Sequence, residues 1–153
     1  MASRVAGTMR QARILRRLIR GPFTGLSIDS ARLARTMALP EASLRYAILF
    51  TPRSGSSWLT DICMRSTGFG RPDEAFNPAM LPNMARAMDA DTLDRYCAAL
   101  LRRRNRDGVF GVEVTPFHLL AVFRGAAGFL KRIRPQHLFW LIREDILAQA
   151  VSV

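Results

Sequence analysis

The chain has 153 residues, enough for one domain with a buried core, and 23 Lys and Arg against 12 Asp and Glu give it a formal charge of +11. Apolar residues make up 49% of it, mean hydropathy is +0.05, and no run reaches the roughly 18 apolar residues of a membrane span, so the composition fits a globular, cytoplasmic chain without a transmembrane segment. Cys63 and Cys97 have no metal-ligand spacing and read as buried or free thiols of a reducing compartment, not as a disulfide.

The first 28 residues contain six arginines and no acidic residue. Met9 to Arg20 fits a basic amphipathic helix, with Ile14, Leu15, Leu18 and Ile19 on one side and Gly21-Pro22 ending it. Residues 1–43 are therefore assigned as a basic N-terminal extension: a surface segment, translated sequence upstream of the natural start, or a transit peptide. From residue 44 the pattern is α/β. Arg45 to Phe50 predicts a strand, Ser57 to Ser66 a helix with Leu59, Ile62 and Cys63 inward, and Pro72 to Pro82 a loop. Asp91 to Arg104 predicts a helix with Leu93, Tyr96, Cys97 and Leu100 as its apolar stripe, and Val109 to Val114 a strand. Pro116 to Ile133 predicts helix interrupted near Gly125 and Gly128, Leu138 to Ile142 a buried strand, and Asp145 the cap of a last helix. Strands alternating with helices imply a parallel sheet with flanking helices.

The run Tyr46-Ala-Ile-Leu-Phe-Thr-Pro-Arg-Ser-Gly-Ser-Ser-Trp-Leu59 carries the most chemistry. A strand, a small-residue turn and a helix start aim backbone N–H groups and a helix N-terminus at one spot, which suits a phosphate or sulfate. Gly55 permits close backbone approach, Ser54, Ser56 and Ser57 add hydroxyls, and Arg53 adds a fixed cation. The nucleotide-triphosphatase loop is excluded, because it needs a lysine after its last glycine and the one lysine here is Lys131. The turn instead resembles the 5′-phosphosulfate loop of sulfotransferases. Gly70-Arg-Pro-Asp-Glu-Ala-Phe76 and Arg143-Glu-Asp-Ile-Leu-Ala-Gln-Ala-Val-Ser152 follow it. Together the three segments, spanning residues 45–153, resemble the trehalose 2-sulfotransferase-like family of bacterial sulfotransferases, which carries R-S-G-S, G-x-P-x-E-x-F and R-x-D-x-x-x-Q-A-V-S in this order.

The resemblance implies a P-loop-like sulfotransferase fold, incomplete at the C-terminus because the family continues past the Q-A-V-S tetrad; a piece ending at Val153 is expected to be impaired in activity. It implies 3′-phosphoadenosine 5′-phosphosulfate as sulfuryl donor, no metal, a hydroxyl of a carbohydrate or glycolipid as acceptor, and admits a homodimer of the full-length form. Arg53, Ser54, Gly55, Ser56 and Ser57 align with the phosphosulfate loop, and Arg53 also stands where a cation stabilises the departing phosphate. Glu74 aligns with the general base, with neighbouring Asp73 as the alternative carboxylate, and Arg143 and Ser152 align with residues binding the donor's 3′-phosphate. Two positions depart from the family: Glu113 replaces a lysine, and Ala75 an aromatic residue. The residues alone leave Gln149 facing either donor or core, and they favour structural roles for His118 and His137. A rival class is a non-catalytic basic module using the N-terminal arginines and Arg102-Arg103-Arg104 on nucleic acid or anionic lipid; the interleaved aromatics expected of a single-strand binder are missing from those runs, and no specific nucleic acid is expected as partner.

Overall fold

The computed structural model describes residues 21–152; the basic amphipathic segment over residues 9–20 lies outside them. Helix α1 (Ser30–Met37) begins where Asp29 accepts a hydrogen bond from the Arg32 N–H and packs on the later helix Leu93–Arg103, with an Arg32–Asp89 ion pair of 3.0 Å beside that contact. Strand β1 (Leu44–Phe50) leads into α2 (Ser56–Arg65). Next come α3 (Leu81–Ala87) and α4 (Leu93–Arg103), then β2 (Val109–Val114). The chain closes with α5 (Pro116–Phe123), α6 (Ala126–Ile133), β3 (His137–Leu141) and α7 (Ile146–Val151). The break in the Pro116 to Ile133 helical run falls at Arg124 and Gly125, both at positive φ, while Gly128 continues inside α6.

The sheet is parallel, in the order β2-β1-β3. Alternation along the strands divides its residues. Ala47, Leu49, Phe110, Val112 and Val114 share the face that meets the core, where Phe76, Tyr96, Leu100, Phe123, Phe129 and Ile133 gather. Phe76 sits at its centre, edge-on to Tyr96, Phe123 and Phe129. On the other face, Cys63 of α2 is buried but Ile62 is exposed, so the inward stripe of that helix is narrower than its sequence indicates. Both cysteines are buried and free, and burial pushes the Cys97 thiol up to about 12.

One expectation is overturned. The apolar run from Leu138 reads as a buried strand, yet β3 is an edge strand whose Leu138, Phe139 and Trp140 are all exposed, Trp140 by 69%. A continuous apolar run marks strands covered on both faces, but the buried core takes in residues of β1 and β2 and none of β3.

Gly111 serves the fold through the side chain it lacks. It pairs with Tyr46 across β1 and β2, and the Tyr46 ring lies over it with its hydroxyl donating to the Phe69 carbonyl at 2.6 Å. A Cβ at position 111 would overlap that ring and its oxygen. Gly111→Ala is expected to cost about 1–3 kcal/mol by overpacking, read in urea as a lower unfolding midpoint at unchanged slope. An unchanged midpoint would show that the ring has room to move.

Candidate functional site

The C-terminal ends of the three strands deliver three groups of residues to one cleft of about 960 Å³. From β1 comes the turn over residues 51–55. Arg53 has φ 67° and Gly55 φ 95°, so two left-handed residues bend the chain sharply into α2. The Arg53 conformation costs a non-glycine residue on the order of 1–2 kcal/mol. Gly55 occupies the N-cap position of α2 and has no side chain to cap with, so the first N–H groups of that ten-residue helix stay open toward the cleft. Ser54 lies behind the turn, 8% exposed, and its hydroxyl has no hydrogen-bond partner. An unpaired buried hydroxyl costs about 1–3 kcal/mol. An oxyanion in the turn gives the open N–H groups a partner.

From β3 comes the segment after Leu141. Arg143 Nη1 donates to the Arg53 carbonyl at 3.2 Å, and Gln149 Nε2 donates to Thr51 Oγ1 at 2.9 Å and to the Pro52 carbonyl at 2.8 Å. Arg53 Nε donates in turn to Ser152 Oγ at 3.4 Å. Asp145 caps α7 by accepting from the Ala148 N–H at 2.8 Å. Gln149, which the sequence leaves undecided, thus faces neither core nor cleft: it clasps the turn.

Beside β2 stands Glu74. Its loop is pinned from three directions: Phe76 is buried in the core, Tyr96 Oη donates to the Ala75 carbonyl at 2.7 Å, and the Glu113 N–H donates to the Asp73 carbonyl at 2.9 Å. Consecutive side chains alternate around this pinned backbone. Glu74 lines the cleft, Asp73 turns to an ion pair with Arg104, and Ala75 packs in the core. Asp73 and Ala75 therefore stand outside the cleft. Asn77 Nδ2 donates to Glu74 Oε2 at 2.8 Å, and His118 Nε2 lies 3.8 Å from the same oxygen. His118, 4% exposed, belongs to the first turn of α5, where burial lowers its pKa and the Glu74 carboxylate opposes that shift.

Of the residues singled out from the sequence, Arg53, Gly55, Ser56, Ser57, Glu74, Arg143 and Ser152 line the cleft, and Ser54 backs it. His118, Asn77 and Thr115 also line it and were missed as site residues; a histidine three residues after a Thr-Pro helix start was the available signal. His137 is exposed on the edge strand, away from the cleft. No protein-family model, curated protein or solved structure matches this chain, so the chemistry of the cleft is read from its own residues. Among the described residues no cluster of His, Cys, Asp and Glu is built to hold a metal ion, and no helix is long and apolar enough to cross a membrane.

Glu113 does not face the cleft. It is 3% exposed beneath α2, where the Thr60 hydroxyl donates to it. Burial raises its pKa most; Glu74 and Asp73 add to the rise, and hydrogen bonds from Thr60 and Ser56 oppose it. A carboxyl whose folded pKa is raised stabilises the fold below its unfolded range and loses that contribution as pH rises through the folded value. Glu113→Gln should therefore melt close to wild type near pH 4 and above it increasingly toward pH 8. Parallel melting curves for the two proteins across this range would contradict the buried-carboxyl assignment.

Proposed function

We propose that the cleft binds 3′-phosphoadenosine 5′-phosphosulfate and transfers its sulfuryl group to an acceptor hydroxyl, and that the chain is a P-loop-like sulfotransferase of the trehalose 2-sulfotransferase-like kind. The observation that carries this reading is the convergence of an open anion turn, Arg53 and Arg143 on one side with the carboxylate of Glu74 in the same cleft. Cations and open N–H groups alone suit any phosphate. A held carboxylate beside them adds a proton acceptor, which is what turns an anion site into a transfer site.

In this reading the N–H groups of Gly55 to Ser57 hold the 5′-phosphosulfate, Ser54 backs the turn, and Arg143 and Ser152 meet the 3′-phosphate. The acceptor oxygen forms its bond to sulfur as the bond between sulfur and the bridging phosphate oxygen breaks. The acceptor proton passes to Glu74, Arg53 stabilises the negative charge on the departing phosphate, and 3′-phosphoadenosine 5′-phosphate leaves. A carbohydrate or glycolipid hydroxyl is the proposed acceptor class; the exposed rings of Trp58 and Phe117, which line the cleft, offer flat apolar faces to such a molecule.

The basic-module alternative gains nothing from Arg102-Arg103-Arg104. Arg102 pairs with Glu41, Arg104 with Asp73, and Arg103 donates to the Ala87 carbonyl at 2.9 Å, so the run is engaged in holding the fold.

Calorimetric titration with 3′-phosphoadenosine 5′-phosphate is expected to show one saturable site, weakened about 10- to 100-fold by Arg143→Ala through loss of a charge-assisted hydrogen bond. Absence of saturable binding by the wild-type chain would end the donor assignment. With radiolabelled donor and a panel of sugars and glycolipids, Glu74→Gln should lower whatever transfer rate the wild type supports by about 10²–10⁴-fold and leave product affinity unchanged. Undiminished transfer by this variant would assign the base elsewhere.

A further inference from the structure

The sequence gives His118 a structural role, and part of that holds. It is the third residue of α5 in a capping box: Thr115 Oγ1 accepts from the His118 N–H at 3.1 Å, and the Thr115 N–H donates back to His118 Nδ1 at 3.3 Å. Glutamate or glutamine usually fills this place, and both accept the returning hydrogen bond through an oxygen. An imidazole does more. A ring nitrogen that accepts carries no proton, so the neutral ring must carry its proton on Nε2.

That protonated Nε2 lies on the cleft side, 3.8 Å from Glu74 Oε2, the oxygen to which Asn77 Nδ2 already donates at 2.8 Å. Both donors thus stand at Oε2. Among the described residues no hydrogen bond reaches Oε1.

We propose that His118 is a positioning residue for Glu74: the capping box fixes its tautomer, and its Nε2–H, with the Asn77 amide, holds Oε2 so that Oε1 is the oxygen presented to the acceptor hydroxyl. The proposal deepens the sulfuryl-transfer reading and rests on it for the identity of the acceptor, but the tautomer and the contact with Glu74 stand on geometry alone. A contact of 3.8 Å is longer than a hydrogen bond, and catalytic hydrogen bonds that are long without substrate commonly tighten in the substrate complex.

Two substitutions separate the cap from the contact. His118→Glu keeps an acceptor for the Thr115 N–H but has no donor for Glu74, whereas His118→Gln keeps both, since its Oε1 accepts and its Nε2 donates. The expected result is a kcat about ten- to a hundred-fold lower in His118→Glu with unchanged affinity for 3′-phosphoadenosine 5′-phosphate, and restoration of most of the rate in His118→Gln. Wild-type kcat in folded His118→Glu, or no recovery in folded His118→Gln, overturns the proposal.

The tautomer is read without turnover, from imidazole ¹⁵N chemical shifts of the wild-type chain. A protonated Nε2 beside a bare Nδ1 is expected, and a protonated Nδ1 overturns the proposal. Failure of the wild-type chain to bind the nucleotide defeats the sulfuryl-transfer reading, and the ¹⁵N shifts still decide the position of the His118 proton.

Discussion

The parallel pairing of β1 with a strand on each side is the constraint from which the rest of the molecule follows. The pairing of Phe50 with Leu141 lets the β1 and β3 chains leave the sheet almost level with one another, and Leu49 opposite Val114 does the same for β2. Three exits at one edge leave no other place for the turn after β1, the capping box after β2 and the arginine after β3. Antiparallel pairing of either neighbour would send one of these groups to the far end of the sheet. The clasp of Gln149 on Thr51 and Pro52 is a consequence of this register, because α7 can reach the turn only when β3 ends beside it.

Glu74 depends on a different force. It lies on a stretch without regular structure, where a side chain would ordinarily wander. Two residues along, Phe76 is wholly buried among three aromatic rings, and backbone atoms of Asp73 and Ala75 are hydrogen-bonded to β2 and to Tyr96. Burying an aromatic side chain contributes about 1.5–3 kcal/mol, comparable with the entropy of fixing one or two loop residues at about 1–2 kcal/mol each, and the backbone hydrogen bonds on either side add to it. Hydrophobic anchoring thus fixes a polar residue, and the alternation that sends Asp73 to Arg104 sends Glu74 to the cleft.

Much of this was legible in the sequence, for local reasons. The apolar run of β1, the small-residue turn and the Asp145 cap are short-range signals that need no knowledge of distant contacts, and the α/β parallel sheet followed from the alternation of strands with helices. The burial of β3 was misread because an apolar run reports what a strand is suited to touch, not whether described neighbours cover it. His118 was passed over because its importance lies in a residue 44 positions earlier in the chain (118 minus 74), and no spacing rule links them. Gln149 stayed open for the same reason: its partners are 97 and 98 residues away. Glu113 stood out only as a glutamate where the resembled family has a lysine, and the packing of α2 over β2 reveals a carboxyl buried beneath that helix.

The left-handed backbone at Arg53 has a consequence for how such a protein is altered over time. Glycine is the residue that adopts this geometry without strain, so a drift toward greater thermal robustness finds its easiest gain at position 53. That same step deletes the guanidinium that stands over the turn and its contact with Ser152. At this position robustness and charge pull in opposite directions.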